Sequence, residues 1–220
     1  MNDPESTGDD LSENLSSKIY SGLRMELIVG DLKPAAKLSI RKLAEKFGVS
    51  AMPVREALRQ LATEHALIGA KKKAYRVPDL RSAEASNLFF VRAVLEGAAA
   101  EIAAQRVNNQ DLEILERFAN EMEIAWKKQD ASSFLASNFR LHSHVYSLTG
   151  NHALQSMIES LYVRTGPWLA HGIVNLVNPD NWMGEHLEII DALRRRDGAA
   201  ARRLMEEDAE WGVHLYNRIG

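Results

Sequence analysis

The chain contains no cysteine among its 220 residues. Disulfides and thiolate metal sites are therefore excluded, which is compatible with a cytoplasmic location. No apolar run is long enough to span a bilayer, so no membrane partner is expected. The opening stretch MNDPESTGDDLSEN is acidic and polar, the opposite of a secretory leader. No internal repeat stands out. What is present is a hydrophobic fraction of 45%, enough to bury a core in one large or two small domains.

Positive charge is not scarce but unevenly placed. Between residues 11 and 78 there are thirteen basic and six acidic residues, a net of +7, whereas the whole chain carries −3. The remainder therefore holds −10. A basic first third joined to an acidic remainder suggests a polyanion-binding module attached to something else.

The stretch SIRKLAEKFGVSAMPVREALRQLATE, residues 39–64, explains that module. Ile40, Leu43, Ala44 and Phe47 fall at helical spacing and form one apolar stripe. Gly48 follows where a helix end favours positive φ, and Ser50 can cap the next helix. Pro53 is tolerated in a first turn, which has no intrahelical use for its missing N–H. Val54, Ala57, Leu58 and Leu61 make the second buried stripe, with Arg55 and Arg59 together on another face. Two helices, a tight turn and a cationic outer face suit the DNA major groove, although an ordinary helical hairpin with solvated arginines would read similarly. Around it, residues 1–10 read as a disordered acidic tail. Leu15, Ile19, Leu23 and Leu27 predict a helix over 11–29. Residues 68–70 and 74–77 read as a hairpin whose tip carries Lys71, Lys72 and Lys73, a wing able to neutralise phosphates. Residues 11–78 thus form a winged helix–turn–helix.

Beyond a joint at 78–81 the chain reads as all helical. Helices are predicted over 82–107, with Leu88, Val91, Leu95, Ala99 and Ile102 as the stripe, then over 111–128, 131–148 and 152–165. The fourth is disturbed by Gly166-Pro167, and 171–178 stays ambiguous. Two more follow over 180–196 and 199–219. The predicted fold is all-α dominated: an N-terminal winged helix–turn–helix plus an antiparallel six-helix bundle over 79–220.

The segment LSIRKLAEKFGVSAMPVREALRQLATEHALI resembles the DNA-binding domain of the GntR family of transcriptional regulators. The remainder resembles the FCD-type effector domain of the FadR subfamily, through VRAVLEGAAAEIAA at 91–104, LHSHVYSLTGN at 141–151 and HLEIIDALRRRDGAAARRLM at 186–205. Six bundle helices look more like its VanR-type branch. The resemblance implies a dimer on a short palindromic double-stranded DNA site, with contacts at Arg41, Arg55 and the wing around Lys72. With their neighbours, the candidate DNA-binding set is Ser39, Arg41, Ser50, Met52, Pro53, Arg55, Arg59, Lys71, Lys72 and Lys73. Ala51 and Met52 depart from the polar residues usual there, and Lys72 from a wing-tip glycine, which bears on the operator sequence.

The resemblance also implies a divalent metal in the bundle, held by one carboxylate and three histidines. The matching positions are Asn138, His142, His186 and Asp208, so one carboxylate remains but has moved. Such a set suits zinc, nickel or iron, the alternative being histidines buried as hydrogen-bonded core residues. The implied effector is a small carboxylate, with Arg92, Glu96, Tyr146 and Arg164 as candidate contacts; a simple Arg92–Glu96 pair at helical spacing is the other reading. The function expected is a ligand-responsive transcriptional regulator, a repressor released by that acid, and no enzyme. The competing readings are a metal-dependent helical-bundle enzyme, with His142, His186 and Asp208 activating water, and a DNA-binding protein whose bundle only dimerises.

Overall fold

The computed structural model describes residues 8–69, 74–80, 82–176 and 182–219. The head comprises α1 (Gly8–Ile28), β1 (Lys37–Ser39), α2 (Ile40–Phe47), α3 (Ala51–Thr63), β2 (Ile68–Gly69) and β3 (Ala74–Arg76). The bundle comprises α4 (Ser82–Ala104), α5 (Asn109–Lys127), α6 (Ala131–Ser147), α7 (His152–Leu176), α8 (Trp182–Arg194) and α9 (Gly198–Ile219). Winged head and six-helix bundle both agree with the expectation. Helix α1 starts at Gly8, so residues 8–10, expected in the tail, are helical. Residues 1–7 and the wing lysines Lys71, Lys72 and Lys73 lie outside the described residues.

In the head, Ile19, Leu23 and Leu27 of α1 pack on Val54, Ala57, Leu58 and Leu61 of α3, all buried. Each fully buried leucine contributes about 1.5–3 kcal/mol, which is what fixes so short a hairpin of helices. The wing is a three-stranded sheet in the order β1-β3-β2. Strand β1, not predicted, pairs antiparallel with β3, Leu38 opposite Tyr75, and turns the buried Leu38 inward.

The bundle departs from expectation in two places. The stripe of α4 is only partly the one predicted: Leu88 and Ala99 are buried and Leu95 is half-buried, but Val91 and Ile102 are exposed, and Ala85, Phe89, Ala93, Ala100 and Ala103 are buried in addition. The helix is apolar nearly all round, so periodicity alone does not separate the buried face from the exposed one. Helix α7 runs on through Pro167 to Leu176 rather than breaking at Gly166-Pro167. Its continuation is secured from outside. Gly166 lies so close to α1 that a Cβ there would sit 2.5 Å from the Leu27 carbonyl oxygen and 2.6 Å from that of Ile28. One turn on, Ala170 abuts Gly30, whose φ is +76°. Arg24 of α1 completes the junction with a 3.2 Å ion pair to Glu159 of α7. Head and bundle consequently share one continuous hydrophobic core.

Candidate functional site

Two regions bring functional side chains together. The first is the outward face of α3. Gly48 adopts φ +65° and ends α2 as expected. Ser39 and Ser50 occupy the N-cap positions of α2 and α3, yet neither hydroxyl makes the cap hydrogen bond expected of Ser50. Ala51, Met52, Arg55, Glu56 and Arg59 face solvent, Met52 with 69% of its surface exposed. Pro53 corrects the candidate set: it is buried in the first turn and does not belong to the outer face. Arg59 is engaged by Glu56, three residues back, through contacts of 2.5 and 3.2 Å. Arg41 reaches Glu45 only at 4.0 Å and is largely exposed, a pairing worth little in water. Arg55 is exposed and, among the described residues, has no ion pair.

The second region is a polar centre inside the bundle. Helix α6 supplies Asn138 and His142, four residues apart and so on one face, α8 supplies His186, and α9 supplies Asp208. The His142 and His186 Nε2 atoms stand 3.3 Å apart. Asp208 Oδ2 is 3.4 Å from the first and Oδ1 is 3.5 Å from the second. Ligands bound tetrahedrally at about 2.0–2.1 Å lie roughly 3.3–3.4 Å from one another, so these three separations suit a common ion. A further observation agrees: Asp208 Oδ1 is buried and, among the described residues, receives no hydrogen bond. Asn138 Nδ2 lies 2.9 Å from His186 Nε2. Amide oxygen and nitrogen exchange by a half-turn of the side chain, which would aim the carbonyl oxygen at the same point.

Behind His142 lies a buried ion pair. Arg92 Nε of α4 donates to Glu96 Oε1 at 2.7 Å, and Arg92 Nη1 donates to Thr165 Oγ1 of α7 at 3.0 Å. The Arg92 guanidinium also stacks 3.7 Å above the Tyr162 ring. Tyr146 donates its hydroxyl proton to Glu96 Oε2, and its oxygen is 3.0 Å from His142 Nδ1. Burial pushes the Glu96 carboxyl up, but the adjoining guanidinium and the hydrogen bonds around it prevail and hold it at about 2. Burial and the Glu96 charge push the Tyr146 and Tyr162 hydroxyls well above the ordinary tyrosine range. A cleft beside the centre is lined by Asn138, Asp208, Arg92, Phe89, Leu135 and Trp211, among others.

Of the four expected effector contacts, Arg92 alone lines this cleft. Glu96 and Tyr146 are fully buried behind it. Arg164 is not among the lining residues, and its Nε is buried without a hydrogen bond among the described residues. Spacing does not point to Tyr162 and Thr165, which reach Arg92 from a distant part of the chain. His144, on a different face from His142, pairs with Asp111 at 3.1 Å.

A basic winged helix–turn–helix joined to an all-helical bundle with a polar centre defines a two-domain DNA-binding regulator. Residues 15–77 match the bacterial regulatory proteins of the gntR family, and residues 87–210 match the FCD domain. The chain belongs to the GntR family, in the group that carries an FCD domain. It is 30% identical to the HTH-type transcriptional regulator McbR of Escherichia coli K12, over 93% of this chain and 96% of that one. Identity to the HTH-type transcriptional repressor RspR of the same organism is 26%, over 89% and 86%. The solved structure of E. coli McbR/YncC superposes with a TM-score of 0.88 at 28% identity, covering 94% of this chain and 99% of that one. A transcriptional regulator from Rhodococcus sp. RHA1 shares the fold, with a TM-score of 0.76 at 18% identity over 93% and 98%.

Proposed function

We propose that this chain is a cytoplasmic, homodimeric repressor that leaves its operator when a small organic acid enters the bundle. That it is a DNA-binding, ligand-responsive transcriptional regulator, and not an enzyme, follows from its family and relatives. The observation that carries the finer reading is one chain holding both an exposed cationic reading face and a buried centre beside a cleft. Arg55 reads a guanine through its two-pronged guanidinium, and exposed Met52 offers an apolar tip to a neighbouring thymine methyl. Arg41 and the hydroxyls of Ser39 and Ser50, uncommitted to capping, contact phosphates. Helix α4 leaves Phe90, Val91, Val94 and Ile102 exposed on its outer side. A second copy covers that surface and so pairs two heads for a palindrome.

His142, His186 and Asp208, with Asn138 as fourth donor, hold a divalent ion: zinc, nickel or iron by donor type. When bound, the ion supplies a Lewis-acidic point for a carboxylate. The acid's body then lies among Phe89, Leu135 and Trp211.

Arg55→Ala should weaken binding to the operator by about 5–150-fold, the 1–3 kcal/mol that one base-specific pairing supplies, in a fluorescence-anisotropy titration at fixed salt. Unchanged affinity would remove Arg55 from the reading face. Replacing Lys71, Lys72 and Lys73 together by alanine should flatten the slope of log affinity against log salt by about 0.9 for each phosphate no longer neutralised. An identical slope would mean that the wing touches no phosphate.

A further inference from the structure

We infer that Arg92, Glu96 and Tyr146 form a support relay that fixes the ring of His142 with its Nε2 lone pair pointing into the centre, a positioning role rather than a contact to the effector. The inference rests on the metal reading given above and adds three residues to it.

The chain of hydrogen bonds has one consistent direction. Glu96 has no exposed surface and receives Arg92 Nε at 2.7 Å, so it is an ionised, acceptor-only carboxylate. The Tyr146 hydroxyl faces that carboxylate and must give it its single proton. The Tyr146 oxygen then has only lone pairs to offer His142 Nδ1, 3.0 Å away. His142 Nδ1 must therefore be the N–H, which leaves Nε2 unprotonated in the neutral ring. That Nε2 is the atom 3.3 Å from His186 Nε2 and 3.4 Å from Asp208 Oδ2. A metal-binding histidine needs this tautomer, and a hydrogen bond to its other nitrogen is what selects it.

Arg92 is needed because the relay is dry. With Arg92 Nε on Oε1, the carboxylate is held with Oε2 toward the Tyr146 hydroxyl, which keeps the direction of every later bond. Arg92 is itself locked by Thr165 and by the Tyr162 face, so two of its donors and one face are already committed. A carboxylate effector therefore finds its countercharge at the ion and not at Arg92.

The test uses the full-length protein freed of metal and titrated with Zn(II) against a chromophoric chelator. Tyr146→Phe removes one oxygen and leaves the Arg92–Glu96 pair intact. It should lower Zn(II) affinity by about 10–100-fold, the range for supporting residues, while the metal-free thermal midpoint changes little. Nitrogen NMR of the histidine rings supplies a readout that packing alone would not move. The His142 Nδ1 should carry the proton in the unmutated metal-free protein, and Tyr146→Phe should release that preference. Equal Zn(II) affinity in the variant, or an Nε2-protonated His142 in the unmutated protein, would overturn the relay while leaving the metal site standing. No Zn(II) binding by the unmutated protein would overturn both.

Discussion

His186→Ala should leave the bundle without bound metal. His186 comes from α8, and its ring nitrogen is within 3.5 Å of both His142 and Asp208. Removing it takes away one of two imidazoles and the partner of Asn138 Nδ2, so the remaining donors no longer surround one point. The loss should exceed the roughly 10–100-fold that supporting residues command, because a ligand is removed and not merely its orientation. Elemental analysis after purification without chelator checks this directly: about one ion per chain before substitution and none after it. Protein that carries no ion before substitution, and takes up none from added Zn(II), Ni(II) or Fe(II), would sink the site. In that case two buried histidines and a nearly buried carboxylate would form a hydrogen-bonded core, and the regulator would sense its effector without metal.

Gly166→Val should be strongly damaging although it removes no polar side chain. A Cβ at this position would meet three backbone atoms of α1 at 2.5, 2.6 and 2.7 Å. Backbone cannot swing aside as a side chain does, so α1 must leave α7 or the helices must spread. Overpacking of this kind costs about 1–3 kcal/mol and occasionally more. For a chain of this size that lowers the thermal midpoint by about 2–4 °C per kcal/mol. Gly22→Ala is the contrasting control, because its Cβ would find only the Phe47 ring, at 3.9 Å. There the gain in helix propensity, about 0.8–1 kcal/mol, should appear as a small rise. Metal uptake should survive Gly166→Val, since none of the four donors lies on α7. A variant as stable as the parent would show that the close approach of α1 and α7 does not hold in solution.

The parts of the fold legible in the sequence are those written locally. Leu23 and Leu27 announce α1, and Gly48 announces the turn, because spacing and positive φ are properties of a few neighbouring residues. Strand β1 is not legible: three residues with a single buried leucine carry no period. On α4 adjacent residues mislead, since Phe89 is 1% and Phe90 is 64% exposed while both are equally apolar. The run of α7 through Pro167 is hidden because the contact that stabilises it comes from Leu27 and Ile28, far away in the chain. The polar centre divides in the same way. Spacing alone puts Arg92 on Glu96, and Asn138, His142 and Tyr146 on one face. Only the resemblance to a family joins His186 and Asp208 to them, and only coordinates add Thr165 and Tyr162.

The core that passes unbroken from α3 through α1 into the bundle has a thermodynamic corollary. Head and bundle should melt as one cooperative unit, with a single calorimetric transition. Whatever occupies the bundle then stabilises the reading head by mass action, by about 2.7 kcal/mol at a hundredfold excess over its dissociation constant. Protease cutting within α2 and α3 should accordingly slow when the bundle, some distance away, is filled.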